Sequence, residues 1–279
     1  MQKEIKCPVC ASFDLKYVRY NNHLNRIKPR IKSVFRSSIF SRKSIKLCNI
    51  CGFGSVDISK AKLDNFYKNT YWKLRSENID NYDEFKTHPR GIYQLKYLSE
   101  IIKKPNKILE IGGGLCNFSL LLRDKFSDVK IYSDELSKNF ERYYKENSIN
   151  YFHNEQKWFD HIHISHVLEH VIDPENYILN MMPLLNENGT IYIEVPNCST
   201  EYFDLNFIDE PHVNFFSMGS LCKVMNKNNL KIIDINSFGP SWEMLYNFKS
   251  ETQSFKSFYD NNFNENSKDG CLIRLILKK

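Results

Sequence analysis

No stretch of this 279-residue chain approaches the roughly 20 consecutive apolar residues that cross a bilayer, and the residues before Cys7 lack the apolar core of a secretory signal. These absences exclude a helical membrane span and lead us to expect a cytoplasmic protein. No internal repeat or heptad is visible. Acidic residues are missing altogether from residues 16–46, which hold ten Lys and Arg; set against +6 for the whole chain, this leaves about −4 elsewhere. Such a block either attracts phosphate-bearing partners (a nucleotide-linked substrate, a nucleic acid, an anionic surface) or is a solvated basic loop. What is present is a 42% hydrophobic composition, enough for the core of one α/β domain with a small appendage and too much for a disordered or fibrous chain.

The eight cysteines are read by their spacing. Four form two CxxC pairs, Cys7-Pro-Val-Cys10 and Cys48-Asn-Ile-Cys51, whereas Cys116, Cys198, Cys222 and Cys271 are scattered. That pattern disfavours a disulfide-stapled secreted mini-protein. Two knuckles place four thiolates where a tetrahedral zinc can collect them, with Pro8 inside the first and Gly52 easing the turn of the second. Since all four positions are cysteine, no ligand position is left for water, and the expected role is structural. The other readings are four free thiols, or a site in which His23 replaces one ligand. The segment up to about Asp57 has too few apolar residues for a core of its own, so a metal is expected to hold it together.

Residues 61–104 read as helical and aromatic. Phe66, Tyr67, Tyr71 and Trp72 come first; the periodic set Ile92, Leu95, Leu98, Ile101 and Ile102 follows, with Pro89 as a start and Pro105 as a stop. Tyr71 and Trp72 suit a lid over a ligand as well as a core. From Lys107 short apolar runs alternate with helical patterns, the mark of βαβ units around a parallel sheet. Strands are expected near 107–111, 129–134, 149–153, 161–166, 190–195 and 231–236, and helices near 115–125, 137–146, 174–185 and 217–228. A turn at Asn186–Gly189 should close the third helix, and Cys271–Leu277 reads as a terminal strand.

The strand at 107–111 breaks into Gly112, Gly113 and Gly114 before a helix opens. Glycines let the backbone approach a ligand, and the helix N-terminus favours a carboxylate. About 20 residues after the loop, the next strand ends on Asp134-Glu135, where a carboxylate can accept from ribose hydroxyls. Glu135 is the better placed of the two; the alternative is a pair of solvated strand-end charges.

At this point the chain resembles the class I S-adenosylmethionine-dependent methyltransferases. Their first motif, acidic-x-Gly-x-Gly-x-Gly, maps onto Glu110, Gly112 and Gly114, with Cys116 in the place of the third glycine. The likeness continues through Phe159-Asp160, the run His166-Val-Leu-Glu-His170-Val-Ile-Asp-Pro174, Ile193-Glu-Val-Pro-Asn197 and Glu210-Pro-His-Val-Asn-Phe-Phe-Ser217, and so covers residues 107 to about 236. A cysteine ribbon followed by Phe66-Tyr-Lys-Asn-Thr-Tyr-Trp72 is similar to zinc-ribbon members associated with bacterial sugar and surface-polysaccharide modification. The resemblance implies an α/β, Rossmann-like domain with a mostly parallel seven-stranded sheet, helices on both faces, and a small N-terminal zinc-ribbon module. It divides the chain into a ribbon with a basic insert (1–60), a helical linker or lid (61–105) and a catalytic domain (106–279). It implies S-adenosyl-L-methionine held by Glu110, Gly112, Gly113, Gly114, Glu135 and His166, and structural zinc on Cys7, Cys10, Cys48 and Cys51. The sugar C-methyltransferases of that group carry an additional C-terminal domain; here the chain ends with the methyltransferase fold, so O- or N-methylation is expected.

Methyl transfer needs an acceptor lone pair in line with the sulfonium methyl, so positioning supplies much of the rate and a base need take only one proton. His212 is the first candidate base, on the carboxyl side of the sheet beyond Pro196 and of a residue type that titrates near neutrality. Its other reading is a packing or capping histidine before the helix at Ser217. Glu169 and His170 share that edge and either touch substrate or orient the following helix. Glu194 and Asn197 flank Pro196, where Asn197 can hydrogen-bond an acceptor. The expected acceptor is a small polar, phosphate-bearing molecule, such as a sugar nucleotide. An RNA methyltransferase is the second reading, since Tyr17, Tyr20 and Phe35 interleave the basic block. Against it, Glu194-Val-Pro-Asn197 stands where base N-methyltransferases often carry Asn/Asp-Pro-Pro-aromatic. A non-catalytic binding module is the third reading, supported by Cys116 alone. Oligomeric state stays open.

Overall fold

The computed structural model describes residues 5–19, 44–67, 89–155, 157–205, 212–226, 230–248, 258, 262–263 and 266–279. Tyr20, His23, Phe35, Tyr71, Trp72, Glu210 and most of the basic segment lie outside these residues. Strands β1 (Leu15–Arg19), β2 (Ser44–Cys48) and β3 (Gly54–Val56) are followed by helices α1 (Lys60–Phe66) and α2 (Pro89–Leu98). An alternating series comes next: β4 (Lys107–Ile111), α3 (Asn117–Lys125), β5 (Lys130–Asp134), α4 (Glu141–Glu146), β6 (Ile149–Tyr151), β7 (Phe159–Ser165), α5 (Pro174–Met181) and β8 (Leu185–Pro196). The last elements are α6 (Thr200–Asp204), β9 (Asn214–Phe215), α7 (Met218–Asn226), β10 (Lys231–Phe238), α8 (Trp242–Asn247) and β11 (Leu272–Lys278).

Seven strands form one sheet in the order β10-β11-β8-β7-β4-β5-β6. The five from β6 to β8 run parallel, while β11 lies antiparallel between β8 and β10. Near-continuous apolar runs produce this arrangement, because a strand covered on both faces cannot alternate with polar residues. Leu272–Leu277 is such a run, buried at every residue, which is why it takes an interior place and not an edge. Its one charge, Arg274, is shielded by the Tyr97 ring at 3.7 Å and donates to Asn236 Oδ1 at 2.6 Å.

Several local expectations shift. The Asn186–Gly189 turn lies within β8: register passes from Phe159↔Leu185 to His161↔Thr190, so the polar residues form a bulge and not a helix cap. The strand expected at 161–166 starts at Phe159 and stops at Ser165, leaving His166 beyond it with φ +55°. On α2, Ile92 is 48% exposed whereas Tyr93 and Gln94 are buried, because their polar ends reach the Glu194 carboxylate. Cys116 adopts the left-handed conformation that the missing glycine would take, at φ +51°. Its thiol occupies the space beside residue 113, where a Cβ would stand 2.7 Å from the sulfur, so Gly113 is what makes Cys116 possible.

The N-terminal strands form a second, antiparallel sheet, β1-β2-β3-β9, whose last member comes from the far side of the chain. Cys7, Val9, Cys48, Cys51 and Phe53 enter the same core as β4, β7 and β8. Phe53 meets Phe216 with ring centroids 5.5 Å apart, and Ser217 Oγ donates to the Cys51 carbonyl at 2.8 Å. Apolar contact with the larger domain therefore holds this segment in addition to anything a metal supplies.

Candidate active site

The direction of strand succession reverses at β4, with β5 and β6 on one side and β7 and β8 on the other. A crevice opens at the carboxyl ends of strands flanking such a point. Gly112 (φ +60°) and Gly114 (φ +51°) line it in a conformation that costs other residues energy. A Cβ on Gly112 would strike Val167 Cγ2 at 2.8 Å, whereas one on Gly114 would point into open space. Glu135 turns back onto this loop: Oε2 accepts from Gly114 N at 3.0 Å and Oε1 from Ser137 N at 2.8 Å. Burial raises the Glu135 carboxyl above its ordinary value. Glu110, also placed among the binding residues, has its Oε2 taken up by the Ser119 hydroxyl and by Ser119 N at 3.3 Å, so it ties β4 to α3. Burial pushes its carboxyl up to about 7. The loop and Glu135 thus offer an open glycine cradle beside a carboxylate, an arrangement that fits a nucleoside.

Val167, against Gly112, leads into the second part of the site. Glu169 and His170 sit on a single 3-10 turn, Leu168–His170. Val213 N donates to the Glu169 carbonyl at 2.8 Å, and the Asn214 amide donates to the Val171 carbonyl, which draws His212 alongside. As a result, His170 Nε2 and His212 Nε2 each lie 3.9 Å from Glu169 Oε1, and their rings meet edge to face at 4.9 Å. Tyr67 covers His170, with centroids 5.9 Å apart. Spacing in the sequence does not reveal this convergence, since His212 lies 42 positions after His170; the Val213–Glu169 and Asn214–Val171 hydrogen bonds bring them together.

His166 bridges two buried carboxylates, with Nδ1 at 3.1 Å from Glu169 Oε1 and Nε2 at 3.3 Å from Glu194 Oε1. Burial and the nearby Arg90 act to lower the His166 pKa, but the hydrogen bonds and charges of both carboxylates outweigh them and raise it. For Glu169, burial acts upward while His170, His166 and His212 together hold the carboxyl below its ordinary value. Glu194 accepts from Tyr93 Oη at 3.0 Å, Gln94 Nε2 at 3.1 Å, Ser165 Oγ at 3.1 Å and Tyr192 Oη at 2.6 Å, with Arg90 Nε at 3.8 Å. Tyr93, Gln94 and Arg90 escaped the sequence reading because the apolar set Leu95, Leu98, Ile101 and Ile102, which does pack into the core, says nothing of the polar side chains beside it. Asn197, considered as an acceptor ligand, is engaged structurally: Nδ2 donates to the Gly270 carbonyl at 2.9 Å, and its own carbonyl accepts from Trp242 Nε1 at 2.7 Å.

The four ribbon cysteines converge, with Cys7 Sγ 3.6 Å from Cys51 Sγ and Cys10 Sγ 3.5 Å from Cys48 Sγ. All four sulfurs lie within 4.8 Å of one another. Four thiolates at about 2.3 Å from one zinc stand about 3.8 Å apart in a tetrahedron, so the residues present fit that ion. Left-handed residues close both knuckles, Ala11 at φ +58° and Gly52 at φ +72°. Ala11 N donates to the Cys7 carbonyl and Gly52 N to the Cys48 carbonyl, each at 2.9 Å.

A protein family described as "Methyltransferase domain" matches residues 89–235, more than half of the chain. No curated protein matches it. Among solved structures, a SAM dependent methyltransferase from Archaeoglobus fulgidus is similar at TM-score 0.52 and 19% identity, over 75% of this chain and 100% of that one. The plantazolicin methyltransferase BpumL, in complex with a triazolic desmethylPZN analog and SAH, gives TM-score 0.53 and 16% identity over 78% of this chain and 94% of its own. A possible histamine N-methyltransferase from Thermotoga maritima gives 0.51 and 15% over 75% and 99%. At these identities the likeness is one of fold.

Proposed function

Because the chain belongs to the methyltransferase-domain family and is an S-adenosylmethionine-dependent methyltransferase, we propose that it methylates oxygen or nitrogen of a small polar acceptor, a sugar, sugar nucleotide or related surface-polysaccharide precursor. S-adenosylmethionine supplies a methyl carbon activated by its bond to a cationic sulfur. Glu135 is placed to accept from the ribose hydroxyls, and the Gly112–Gly114 backbone admits the nucleoside at close range. Leu136, 77% exposed next to Glu135, offers an apolar surface for the base. His166, at the junction of the two carboxylates, borders the same crevice.

The observation that supports the acceptor side is the closeness of Val167 to the position of Gly112, since Val167 leads directly into the turn that carries Glu169 and His170. His212 takes the acceptor's proton in this reading, His170 stands beside it, and Glu169 orients both imidazoles. The positive charge of residues 16–46 supports a phosphate-bearing acceptor. Transfer of labelled methyl from S-adenosylmethionine to sugar nucleotides, free sugars, amines and RNA tests the acceptor class. Labelling of the sugar nucleotides supports it, and labelling of RNA alone overturns it in favour of the nucleic-acid reading. Calorimetry of S-adenosylhomocysteine tests the donor side. Glu135→Ala is expected to weaken binding by about 10- to 100-fold, the effect of losing charge-assisted hydrogen bonds of about 1.5–3 kcal/mol. Unchanged affinity would remove Glu135 from the site.

For the ribbon we propose structural zinc on Cys7, Cys10, Cys48 and Cys51. Metal analysis of protein purified under reducing conditions should then find about one zinc per chain. Cys48→Ser should lower that content to near zero and expose β1–β3 to proteolysis, since metal binding and local folding are linked. Wild-type protein that neither contains nor takes up zinc would exclude this assignment.

A further inference from the structure

We propose that Glu169, His170 and His212 bind a divalent first-row transition cation, a second metal site distinct from the four cysteines, and that the cation holds the acceptor through an oxygen. The proposal rests on the methyl-transfer reading above and refines it: with the cation bound, His212 is a ligand and the acceptor's proton has another way out.

Three observations carry it. One donor atom from each of the three residues lies within 4.8 Å of the others, and Glu169 Oε1 is 3.9 Å from both imidazole Nε2 atoms. Nitrogen and oxygen ligands about 2.0–2.1 Å from a common ion stand about 3.0–3.5 Å apart, so both Glu169–imidazole distances need to shorten by about half an ångström. Second, Glu169 is 1% exposed and its Oε2 has no hydrogen-bond partner among the described residues. A buried carboxylate oxygen left without a donor is costly, and a cation bound by the carboxylate is a partner that the described residues do not supply. Third, Glu169 is held from behind: His166 Nδ1 contacts Oε1 at 3.1 Å and His166 Nε2 reaches Glu194. Fixing a ligating carboxylate through an outer hydrogen bond is a recurrent feature of metal sites.

Donor chemistry narrows the ion. Two imidazoles and one carboxylate suit zinc, manganese or ferrous iron, whereas magnesium and calcium favour oxygen alone. Three protein ligands leave at least one position open, in contrast to the closed cysteine site. That position suits a hydroxyl, and a vicinal diol such as a sugar offers two oxygens to the ion. A cation lowers the pKa of a hydroxyl that it binds. The hydroxyl proton then passes to solvent, the oxygen forms its bond to the methyl carbon, and the electron pair of the broken carbon–sulfur bond stays on sulfur. The products are a methyl ether and S-adenosylhomocysteine.

Full-length protein, zinc-loaded at the cysteines, is titrated with Mn²⁺ and followed by electron paramagnetic resonance, in which bound Mn²⁺ loses the sharp six-line signal of the free ion. We expect one Mn²⁺ per chain, with affinity falling at least about tenfold in the near-isosteric Glu169→Gln and, separately, in the less buried His170→Ala. Absence of binding to the wild type, or equal binding to wild type and both variants, overturns the proposal. Calorimetric titration of S-adenosylhomocysteine into the same samples reports whether each variant is folded. It also separates two failures: S-adenosylhomocysteine bound without Mn²⁺ overturns the cation alone, whereas Mn²⁺ bound without S-adenosylhomocysteine supports the cation and overturns the methyl-transfer reading.

Discussion

Turnover in the His212→Ala variant is expected to fall by about two to four orders of magnitude, the range over which a positioned proton-transfer group acts. S-adenosylhomocysteine affinity should stay within about twofold of wild type, because the lost group belongs to the acceptor side. His212 approaches Glu169 and His170, carried there by the Val213–Glu169 backbone hydrogen bond. In the proposed site, donor binding depends on another set of atoms, the glycine turn after β4 and the carboxylate after β5. The loss should therefore appear in kcat at saturating donor. Turnover close to wild type would place His212 among packing residues, and simultaneous loss of S-adenosylhomocysteine binding would assign the defect to folding. Both roles considered for His212, proton acceptor and cation ligand, predict the drop; the Mn²⁺ titration tells them apart.

Glu194→Ala is expected to destabilise the fold by about 3–5 kcal/mol, the cost of removing one member of a buried charged network. At about 2–4 °C per kcal/mol for a domain of this size, the midpoint of thermal unfolding should drop by about 10 °C. The carboxylate receives four side-chain hydrogen bonds from three elements, α2, β7 and β8, so its loss leaves Tyr93, Gln94, Ser165 and Tyr192 facing a cavity. The same network fixes the pH dependence. Burial acts to raise the Glu194 carboxyl, but the hydrogen bond and charge of His166, the charge of Arg90 and the Tyr192 hydroxyl hold it far below its ordinary 4.5. A carboxyl whose folded-state pKa is depressed contributes its full stabilisation above the unfolded value and loses it as pH falls towards the folded one. The difference between wild type and Glu194→Ala should thus be largest near neutrality and narrow below about pH 4.5. Urea unfolding at about pH 7 and about pH 3.5 measures it; a difference that widens at low pH would show that Glu194 is not the ionised centre of the network.

Much of this architecture is written locally. The runs at 107–111 and 190–195 are buried on both faces and could only be interior strands, and Gly112 and Gly114 sit at left-handed positions where their lack of a side chain is needed. Local pattern also marks Glu135, since it follows directly on a strand that ends beside the glycines. What stays hidden is convergence over distance. Gln94 in an amphipathic helix reads as a solvated residue, yet it is buried because Glu194, a hundred residues away, needs a donor. Ile92 reads as core and is exposed, whereas Leu95, Leu98, Ile101 and Ile102 of the same periodic set are covered. The cysteine pairs mark the ribbon, but nothing local marks β9, which completes its sheet through Gly54↔Phe215 pairing. Cys116 looked like a defect in the loop and proves compatible with it, because Gly113 surrenders the volume that the thiol fills.

The place of β11 sets an order of events during synthesis. Residues 272–278 leave the ribosome after every other described element, yet their strand separates β8 from β10 and hydrogen-bonds to both. Until they emerge, the nascent chain can pair β4 through β8 but presents the apolar edge of β8 to its surroundings, with β10 waiting for a neighbour that does not yet exist. Strand pairing over such separations in sequence is slow, and an unpaired apolar edge is a template for association with other chains. Closure of this sheet is therefore the last pairing among the described strands, and in the interval before it the edge of β8 is open to association.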